Sequence, residues 1–424
     1  MKSFIDKFFS RSNNLDFISK NIKQLTHNTP VKKIFSAIDA HSHESKIMYV
    51  GGCVRKILNN EKVDDIDLAT NLNPEQVCEI LKKNNIKYYE SGIRHGTITA
   101  VIDKFNFEIT SLREDISTDG RHAEVRFSKD WKEDASRRDF TINSIYSDLE
   151  GNLFDPYNGK KDLEKGFVNF IGDPEKRIKE DYLRILRYIR FFINYSKQPH
   201  KLEIIRRLKV NLEGISKLSK DRLLDELKKM IKLDVLEKLS KDKLSLEIIL
   251  IIFPELKNIK FFSKMTTYKK DILKKTDHIF LLILLIYDDK DNLDYFLYKF
   301  NISKKDQKRI KIIDNFYRDK LVFKNLNTNY LNRIFYYEGK QAVIDILNFK
   351  IVVSKKLDNS LITLCEIYRK KDTPIMPIAA NKLMSEYHIP EGKQLGLKLK
   401  KIEQEWIKNN FQISNKQVAD IIKN

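Results

Sequence analysis

The sequence predicts an α+β protein in which a small mixed α/β head is followed by a long, all-helical body. Ten of the 13 glycines lie between Gly51 and Gly214, and glycine is typical of tight turns and close backbone approaches. Short apolar and β-branched runs in the same stretch are typical of strands. Beyond about Pro174, apolar residues instead recur at helical spacing almost to the end of the chain.

The head is predicted to contain five strands and a helix. The strands are expected at Lys46–Val50, Asp65–Ala69, Thr97–Ile102, Phe105–Leu112 and Glu124–Phe127. Because only Asp103-Lys104 separates the third strand from the fourth, these two are expected to form a hairpin. A helix is predicted from Pro74 to about Asn84, with Asn73 as its N-cap and proline at the first helical position.

The body is predicted to consist of successive helices. Pro174–Asn194 is expected to be one long helix, and Lys220–Lys238 repeats apolar residues at helical spacing. Further helices are expected at Leu244–Phe253, His278–Tyr287, Leu293–Phe300, Asp306–Phe316, Tyr330–Tyr337 and Gln341–Val353. Thr373–Pro377 is interpreted as a linker. The expected domains are an N-terminal helical segment (1–44), the head (45–173), a helical neck (174–235), a helical body (236–372) and a helical tail (373–424).

The charge balance favours a polyanionic partner. Lys and Arg number 79 against 59 Asp and Glu, a formal net charge of +20, and such a basic field attracts phosphate. A lysine-rich composition with an ordinary solvated surface would give the same excess, so charge alone leaves both interpretations open.

The cysteine content and the hydropathy indicate the cellular compartment of the protein. The three cysteines, Cys53, Cys78 and Cys365, have no metal-ligand spacing, which disfavours a disulfide framework or a zinc site and favours a reducing compartment. The longest apolar run, Ile279–Tyr287, falls far short of the ~20 residues that cross a bilayer. Met1–Asn13 has no continuous apolar core of the export type. A cytoplasmic protein without membrane contact is expected, and its oligomeric state is left open.

Paired acidic residues predict a metal site in the head. Asp65 and Asp67 are two positions apart on a predicted strand, so their side chains project from one face. Two carboxylates this close repel each other unless a cation lies between them, and Mg²⁺ is the hard cation that prefers such oxygen ligands. Glu108, on the outer strand of the hairpin, is a candidate third carboxylate, although alone it would be interpreted as a surface glutamate.

A glycine pair and an arginine precede these acids. Gly51 and Gly52 directly follow a strand, which allows the backbone to approach phosphate groups, and Arg55 can neutralise the phosphate charge. A DxD pair alone is weak evidence for a metal site. The Gly-Gly-x-x-Arg run one short helix upstream makes a phosphate and metal site a much stronger interpretation.

The ordered set of motifs resembles the head of class II tRNA nucleotidyltransferases and bacterial poly(A) polymerases. The matching runs are Tyr49–Gly52, Asp65–Thr70, Gly92–Thr97, Phe107–Thr110, Asp119–Arg121, Arg137–Asn143, Asp155-Pro156 with Gly159, Asp162-Leu163, and Glu180–Arg184. The close match covers roughly residues 45–230, and a weaker one in the tail starts at Asn381. Lys56 departs from the family, which usually has Asp at that position, and Asp64 is expected to offset the added charge.

The resemblance implies template-independent addition of nucleotides to the 3′ end of a tRNA, with CTP and ATP as substrates and Mg²⁺ as cofactor. Asp65 and Asp67 would bind the metal and Glu108 would lie near the primer hydroxyl. Gly51, Gly52 and Arg55 would surround the triphosphate. The run Arg137, Arg138 and Asp139 would hold ribose and phosphate, with Asn143 supporting that turn. An Arg-Arg-Asp run is also compatible with a structural ion-pair cluster.

The Glu180–Arg184 motif predicts how the base is chosen. Asp181 and Arg184 are three positions apart in the predicted long helix, so they are expected to share a face and act as a unit. A carboxylate accepts from the amino group of cytosine or adenine, and guanine or uracil would leave it unpaired. Arg187 and Arg190 continue the row and would orient the readers or contact phosphate. A salt-bridged helix surface is the alternative interpretation.

The expected activity is addition of C, C and A, and three alternatives remain. Asp115–Trp131 resembles the flexible loop that complete CCA-adding and A-adding enzymes carry, which argues against a CC-only enzyme. The alternatives are a poly(A) polymerase, an enzyme that adds only the terminal A, and a catalytically silent RNA-binding protein. The basic helical body, about residues 231–424, is expected to bind tRNA phosphates.

Overall fold

A computed structural model describes residues 17–118 and 123–423 of the 424-residue chain. It divides into two compact units, with the boundary in the sequence between Leu227 and Lys228. The first unit contains every strand of the described residues, and the helices predominate in the second. The predicted fold class, a mixed α/β head followed by a helical body, is confirmed.

The first unit is built on a seven-stranded mixed sheet. In the order β3-β4-β5-β2-β1-β8-β9, β2 and β5 are parallel and the other neighbours are antiparallel. A separate two-stranded sheet is formed by β6 and β7. The strands are β1 (Ile47–Val50), β2 (Ile66–Thr70), β3 (Lys87–Gly92), β4 (Thr97–Ile102), β5 (Phe105–Ser111), β6 (Arg113–Thr118), β7 (Ala123–Phe127), β8 (Tyr146–Ser147) and β9 (Leu153–Phe154).

Ten helices begin in the described part of the first unit. They are α1 (17–28), α2 (Lys32–Asp39), α3 (Gly52–Leu58), α4 (Pro74–Lys83), α5 (Trp131–Ser136), α6 (Gly159–Lys165), α7 (Pro174–Glu180), α8 (Leu183–Tyr195), α9 (Leu202–Val210) and α10 (Lys220–Met230). The predicted N-cap of α4 is confirmed, because the Asn73 side chain accepts a hydrogen bond from the Gln76 backbone and the Gln76 side chain accepts one from the Asn73 backbone. This capping box satisfies two backbone donors that the helix leaves unpaired.

The two faces of the sheet have different roles. One face is covered by a large apolar cluster that includes Leu68, Phe107 and Ile109. The other carries a smaller cluster that includes Val50 and Ala69. Since side chains alternate along a strand, the polar residues between the buried positions of β2 and β5 lie on this second face, where the candidate site is found.

The second unit is helical throughout its described residues. Its helices are α11 (Leu233–Leu239), α12 (Lys243–Ile252), α13 (Thr267–Leu273), α14 (His278–Ile286), α15 (Asn292–Lys299), α16 (Lys304–Arg318), α17 (Lys320–Lys324), α18 (Thr328–Glu338), α19 (Lys340–Val353), α20 (Asn359–Lys370), α21 (Ala380–Tyr387), α22 (Lys393–Lys408) and α23 (Asn415–Lys423). The last three helices enclose an apolar cluster of their own, which includes Leu383, Ile402 and Val418. In the described part of the chain, no helix combines the length and hydropathy required to span a bilayer.

The prediction of one long helix over Pro174–Asn194 is wrong. The chain leaves the helical conformation at Asp181, with φ −152° and ψ 104°, so that α7 ends at Glu180 and α8 begins at Leu183. The Asp181 carboxylate accepts a hydrogen bond from the Leu183 backbone at 3.1 Å. A short acidic side chain that bonds a nearby backbone N–H offers an alternative to the helical hydrogen bond, and apolar periodicity alone does not reveal it.

Element boundaries otherwise follow the sequence closely. The five predicted strands agree with the structure to within one residue at each end. The apolar repeat over Lys220–Lys238 is divided between α10 and α11, because Lys232 is extended, with φ −131° and ψ 144°. The unpredicted strands β3, β6, β8 and β9 are either polar or only two residues long, so neither alternation nor length distinguishes them from loops.

Candidate active site

Two carboxylates meet where β2 and β5 pair. Asp67 and Glu108 are direct partners in the parallel ladder, so both side chains lie on the same face of adjacent strands. The prediction that Glu108 lies on the outer strand of the hairpin is wrong, because β5 is the inner strand of that pair and lies between β4 and β2 in the sheet. Asp65 lies just before β2, which starts at Ile66, and not on the strand as predicted.

The electrostatics of this site fit a divalent cation. Burial raises the pKa of Asp67 to about 6, the charges of Glu108 and Asp65 add to the rise, and Arg138 and Arg55 oppose it. Crowded carboxylates of this kind gain from a hard cation that accepts oxygen ligands. Among residues 17–118 and 123–423, no three His, Cys, Asp or Glu side chains converge to hold a metal by themselves.

The glycine pair leaves space beside the carboxylates. Gly51 has φ +66°, and a Cβ there would lie 3.4 Å from Arg138 Nη1. A Cβ on Gly52 would lie 3.6 Å from Asp67 Oδ2. Side chains at either position would narrow the space between the start of α3 and the carboxylates, so this pattern keeps that space open.

Arg55 reaches the same space from within the fold. It is buried, and its Nη1 donates a hydrogen bond to Asn143 Oδ1. Its Nε is buried without a hydrogen-bond partner. Its Nη2 would lie 4.0 Å from a Cβ on Gly52. A buried guanidinium whose donors are incompletely used is suited to an anionic ligand.

The Arg-Arg-Asp run is anchored by a residue that the sequence analysis missed. Asp134 accepts from Arg137 Nε and Nη2 at 2.8 and 2.6 Å, and from Arg138 Nε and Nη2 at 3.2 and 3.0 Å. The Tyr146 hydroxyl donates to the same carboxylate at 2.6 Å. The structural ion-pair cluster considered as an alternative is therefore present, while Arg138 Nη1 lies beside Gly51. The spacing of Asp134 three and four positions before the arginines was the available signal.

Asp139 links the head to α8. Its Oδ1 accepts from Asn143 Nδ2 at 2.8 Å, and its Oδ2 accepts from Arg187 Nε at 2.7 Å. Burial alone would raise the pKa of Asp139, but the Arg187 charge and these hydrogen bonds outweigh burial and lower the pKa to about 2.

The pKa of Asp139 leads to a pH-dependent stability prediction. Since the folded-state value lies below the ordinary 3.8, the carboxylate stabilises the fold above about pH 4, and this contribution is lost as the pH falls toward 2. The free energy of unfolding in urea is expected to be ~2 kcal/mol higher for the wild type than for Asp139→Asn at pH 6. At pH 3 about half of that difference remains. An equal difference at both pH values would contradict the assignment.

The proposed base readers do not form a pair. Asp181 Oδ2 accepts from Arg222 Nη2 at 2.8 Å, whereas Arg184 Nη1 donates to Glu180 Oε2 at 2.6 Å. The argument that Asp181 and Arg184 share a helical face is wrong, because Asp181 lies outside the helix. Further along α8, Arg190 pairs with the buried Glu226. Neither Arg222 nor Glu226 was predicted, since both are more than thirty positions away in the sequence.

Comparisons with known proteins agree with this geometry. Residues 47–169 match a family described as the poly A polymerase head domain. Mouse CCA tRNA nucleotidyltransferase 1, mitochondrial, is 30% identical over 410 residues, which cover 93% of this chain and 89% of the mouse protein. The chain belongs to the CCA tRNA nucleotidyltransferase family.

Other members extend this similarity. The human CCA tRNA nucleotidyltransferase 1, mitochondrial, is 30% identical over 417 residues, which cover 93% of this chain and 89% of the human protein. The crystal structure of the Bacillus stearothermophilus CCA-adding enzyme in complex with CTP aligns with a TM-score of 0.68, at 19% identity, over 93% of this chain and 97% of that chain. At that identity the alignment shows the shared fold.

Family membership settles the class of protein. CCA tRNA nucleotidyltransferases are nucleotidyltransferases, so the chain is an enzyme, and the silent RNA-binding alternative is not favoured. Enzymes of this family generally use a divalent metal ion, and the paired carboxylates of Asp67 and Glu108 offer the oxygen atoms that such an ion prefers. The poly(A) polymerase alternative is not favoured either, because the curated relatives named above are CCA-adding enzymes.

Two further features of this chain concern its match to the family motifs. Lys56, the departure from the family pattern, forms a salt bridge with Asp64 at 3.0 Å, as the offsetting charge in the sequence suggested. Within the segment Asp115–Trp131, residues 115–118 belong to β6 and residues 123–127 form β7. Its motif Asp119-Gly120-Arg121 lies outside the described residues.

Proposed function

We infer that this chain adds C, C and A, from CTP and ATP, to the 3′ end of tRNA and releases pyrophosphate. The observation that carries the inference is the Asp67–Glu108 pair beside Gly51-Gly52. This arrangement offers oxygen ligands for a metal and, next to them, open space for a triphosphate. The 30% sequence identity with the mouse enzyme, which extends over 93% of this chain, supports tRNA as the acceptor of the nucleotides.

The proposed roles follow from position. Asp65 and Asp67 would hold Mg²⁺, with Glu108 as the third carboxylate near the primer hydroxyl. When bound, the metal supplies a Lewis acid that stabilises charge on phosphate oxygens. Gly51 and Gly52 would admit the triphosphate. Arg55 and Arg138 would donate to its oxygens.

The remaining nucleotide-binding roles are also proposals. Arg137 is held by an ion pair with Asp134 and is next to Arg138 in the sequence. This position supports a contact between Arg137 and phosphate. Asp139 and Asn143 would hold the turn that carries these arginines, and Arg187 would tie this turn to α8. Arg190, fixed by Glu226, would keep the row of arginines in place. Each assignment is supported by a hydrogen bond or an ion pair that restricts the side chain.

Base choice is assigned to Asp181 and Arg184. Both side chains are half-buried in the structure, where a polar group gains most from a matched partner. Asp181 would accept from the amino group of cytosine or adenine, and Arg184 would donate to ring nitrogen or carbonyl acceptors. Arg222 and Glu180, their present partners, would hold the two readers in position.

Asp181→Ala is expected to weaken incorporation of C and A and to relax discrimination against U and G. The change removes both the hydrogen bond to the amino group and the penalty for leaving a carboxylate unpaired, about 1–3 kcal/mol. Arg184→Ala is expected to lose more activity than selectivity. Single-nucleotide incorporation on a truncated tRNA, with each of the four triphosphates, measures both effects. If Asp181→Ala leaves the preference among the four nucleotides unaltered, the contact between Asp181 and Arg222 is only a structural salt bridge.

The overall activity is tested with three tRNA transcripts that end before the first C, the second C and the terminal A. Each is incubated with one triphosphate at a time. We expect CTP to extend the first two transcripts and ATP to extend the third. Extension of only the third would indicate an A-adding enzyme. Continued ATP addition to unrelated RNA would indicate a poly(A) polymerase, and no addition at all would contradict the proposal.

The helical part of the chain is proposed to bind tRNA. Lysine-rich stretches in α16 and α22 supply cations for phosphate contacts, which give affinity without base specificity. The proposed division into a neck (174–235), a body (236–372) and a tail (373–424) is supported at the tail by its own apolar cluster.

A cytoplasmic location is proposed as well. Cys53, Cys78 and Cys365 form no disulfide with one another, which supports a reducing compartment. The mammalian relatives named above are mitochondrial by name. Cell fractionation with an antibody against the chain decides between the two locations.

A further inference from the structure

Two aromatic rings of α8 enclose the Arg55 guanidinium. Its Cζ lies 4.8 Å from the centre of the Phe191 ring and 5.0 Å from that of Tyr195. The rings are one helical turn apart, with centres separated by 6.0 Å and planes inclined by 27°. Residues at this spacing lie on one face of a helix. We call Phe191 and Tyr195 the aromatic pair.

Three guanidinium groups surround Phe191. Arg190 and Arg187 lie 4.3 and 5.5 Å from its ring centre, in addition to Arg55. Burial lowers the pKa of Arg190, Glu226 opposes this effect, and the charges of Arg187 and Arg55 lower the pKa further. The three cations therefore repel one another in a poorly solvated place. The negative faces of an aromatic ring offset part of that repulsion.

Arg55 differs from the other two in its counter-charge. Arg187 is paired with Asp139 and Arg190 with Glu226. Arg55 donates to the Asn143 amide oxygen and lies against the aromatic pair, and within the described residues its Nε has no hydrogen-bond partner. Its charge acts on the Asp67 carboxylate, which is itself proposed to bind the metal, so a phosphate would give this buried cation an anion of its own. The Nη2 atom of Arg55 lies on the side of Gly52 and Asp67, which is the proposed position of the triphosphate.

We propose that the aromatic pair positions Arg55 for the triphosphate of the incoming nucleotide, so that nucleotide affinity depends on an aromatic ring at position 191. This proposal rests on the proposed function. Phe191 and Tyr195 touch no substrate in this scheme and act through Arg55. Because the contact is to phosphates, the effect is the same for CTP and ATP and leaves base choice unchanged.

Phe191 also contributes to the core. It is 2% exposed, and its ring centre lies 5.3 Å from that of Phe140. A purely structural residue would lower thermal stability when shortened and leave the affinity for phosphates unchanged. Phe192 provides the matched control, because it is the next residue of α8, is 9% exposed, and packs against Tyr188 and His200, away from Arg55.

The test compares Phe191→Leu, Phe191→Tyr and Phe192→Leu in the full chain. Binding of tripolyphosphate, measured by calorimetry, is the first readout and requires no nucleotide transfer. In Phe191→Leu we expect the Kd to rise about tenfold, as expected for one desolvated cation–π contact. On truncated tRNA, KM for CTP and ATP is expected to rise by the same factor, with a smaller change in kcat. Phe191→Tyr is expected to retain wild-type values, and Phe192→Leu to lower only Tm.

Several results would overturn the proposal. These are an unchanged Kd in Phe191→Leu, an equal loss in Phe192→Leu, a loss in Phe191→Tyr equal to that in Phe191→Leu, or a KM effect on only one of the two nucleotides. If Phe191→Leu does not fold, Tyr195→Leu and Tyr195→Phe at the half-buried end of α8 replace it, with the same expected contrast. If the wild type binds tripolyphosphate but adds no nucleotide, the proposed function fails. The Kd contrast between Phe191→Leu and Phe192→Leu then still decides the role of the aromatic pair.

Discussion

Asp67→Ala is expected to abolish nucleotide incorporation while leaving tRNA binding nearly intact. Asp67 is half-buried beside Glu108, and its substitution by alanine removes one of the oxygen ligands proposed for the divalent metal. Since a catalytic metal supplies several kcal/mol of transition-state stabilisation, the rate of incorporation should fall by at least about a thousandfold. Incorporation of CTP into a tRNA that lacks CCA measures the rate, and filter binding measures the tRNA affinity.

The neighbouring acids provide the comparison for this variant. Asp65→Ala should give a similar loss, because both residues are assigned to the metal. Asp64→Asn should retain activity, because Asp64 is an exposed residue that pairs with Lys56, and exposed pairs contribute little. Near-normal turnover in Asp67→Ala would refute the metal assignment. A parallel loss of tRNA affinity would indicate a folding defect.

Among the proposed substitutions, Asp134→Ala is expected to cause the largest fall in the free energy of unfolding. Asp134 is 1% exposed and accepts hydrogen bonds from Arg137, Arg138 and Tyr146. The two guanidinium groups outweigh the burial that would raise its pKa and hold that pKa well below the ordinary range. Removing one partner of a buried ionic cluster leaves the others unpaired, at a cost of about 3–5 kcal/mol. Urea unfolding at neutral pH, followed by a probe in the first unit, measures the loss.

An exposed acid in the same unit serves as the control for Asp134. Glu150 forms a salt bridge with Lys23 at 2.9 Å, and its side chain is 67% exposed. Glu150→Ala should change the free energy of unfolding by no more than about 0.5 kcal/mol. Equal losses in the two variants would contradict the view that Asp134 holds the arginine run together.

Local patterns predicted the hairpin and the helix cap, and long-range pairing accounts for the wrong placement of Glu108. Turn chemistry identified the hairpin around Asp103, which has φ +54°, and capping chemistry identified Asn73. Neither signal extends beyond a few residues. The parallel pairing of β2 with β5 is fixed by the packing of the whole sheet, so the position of Glu108 inside the sheet did not follow from the sequence of its own strand.

For the candidate site, residue identities were easier to predict than partners. The structure brings together Asp67, Glu108 and Arg55, which the motifs singled out. The break at Asp181 was missed because a side-chain hydrogen bond to Leu183 competes with helix formation at that residue. Helical faces that carry core residues also carry Arg222, Glu226 and Phe191. Helical periodicity predicts such a face, but it does not predict which side chain of another element contacts it.

The parallel pairing of β2 and β5 has a consequence for how the enzyme becomes active during folding. The hairpin β4–β5 is local and can form early, whereas the ladder that joins Asp67 to Glu108 must close a loop containing α4, β3 and β4. Non-local pairings of this kind pay their loop-closure entropy before they gain contacts, and they form slowly. The two proposed metal-binding carboxylates therefore come together only after the central sheet has closed, so an incompletely folded chain would keep them apart and would be inactive.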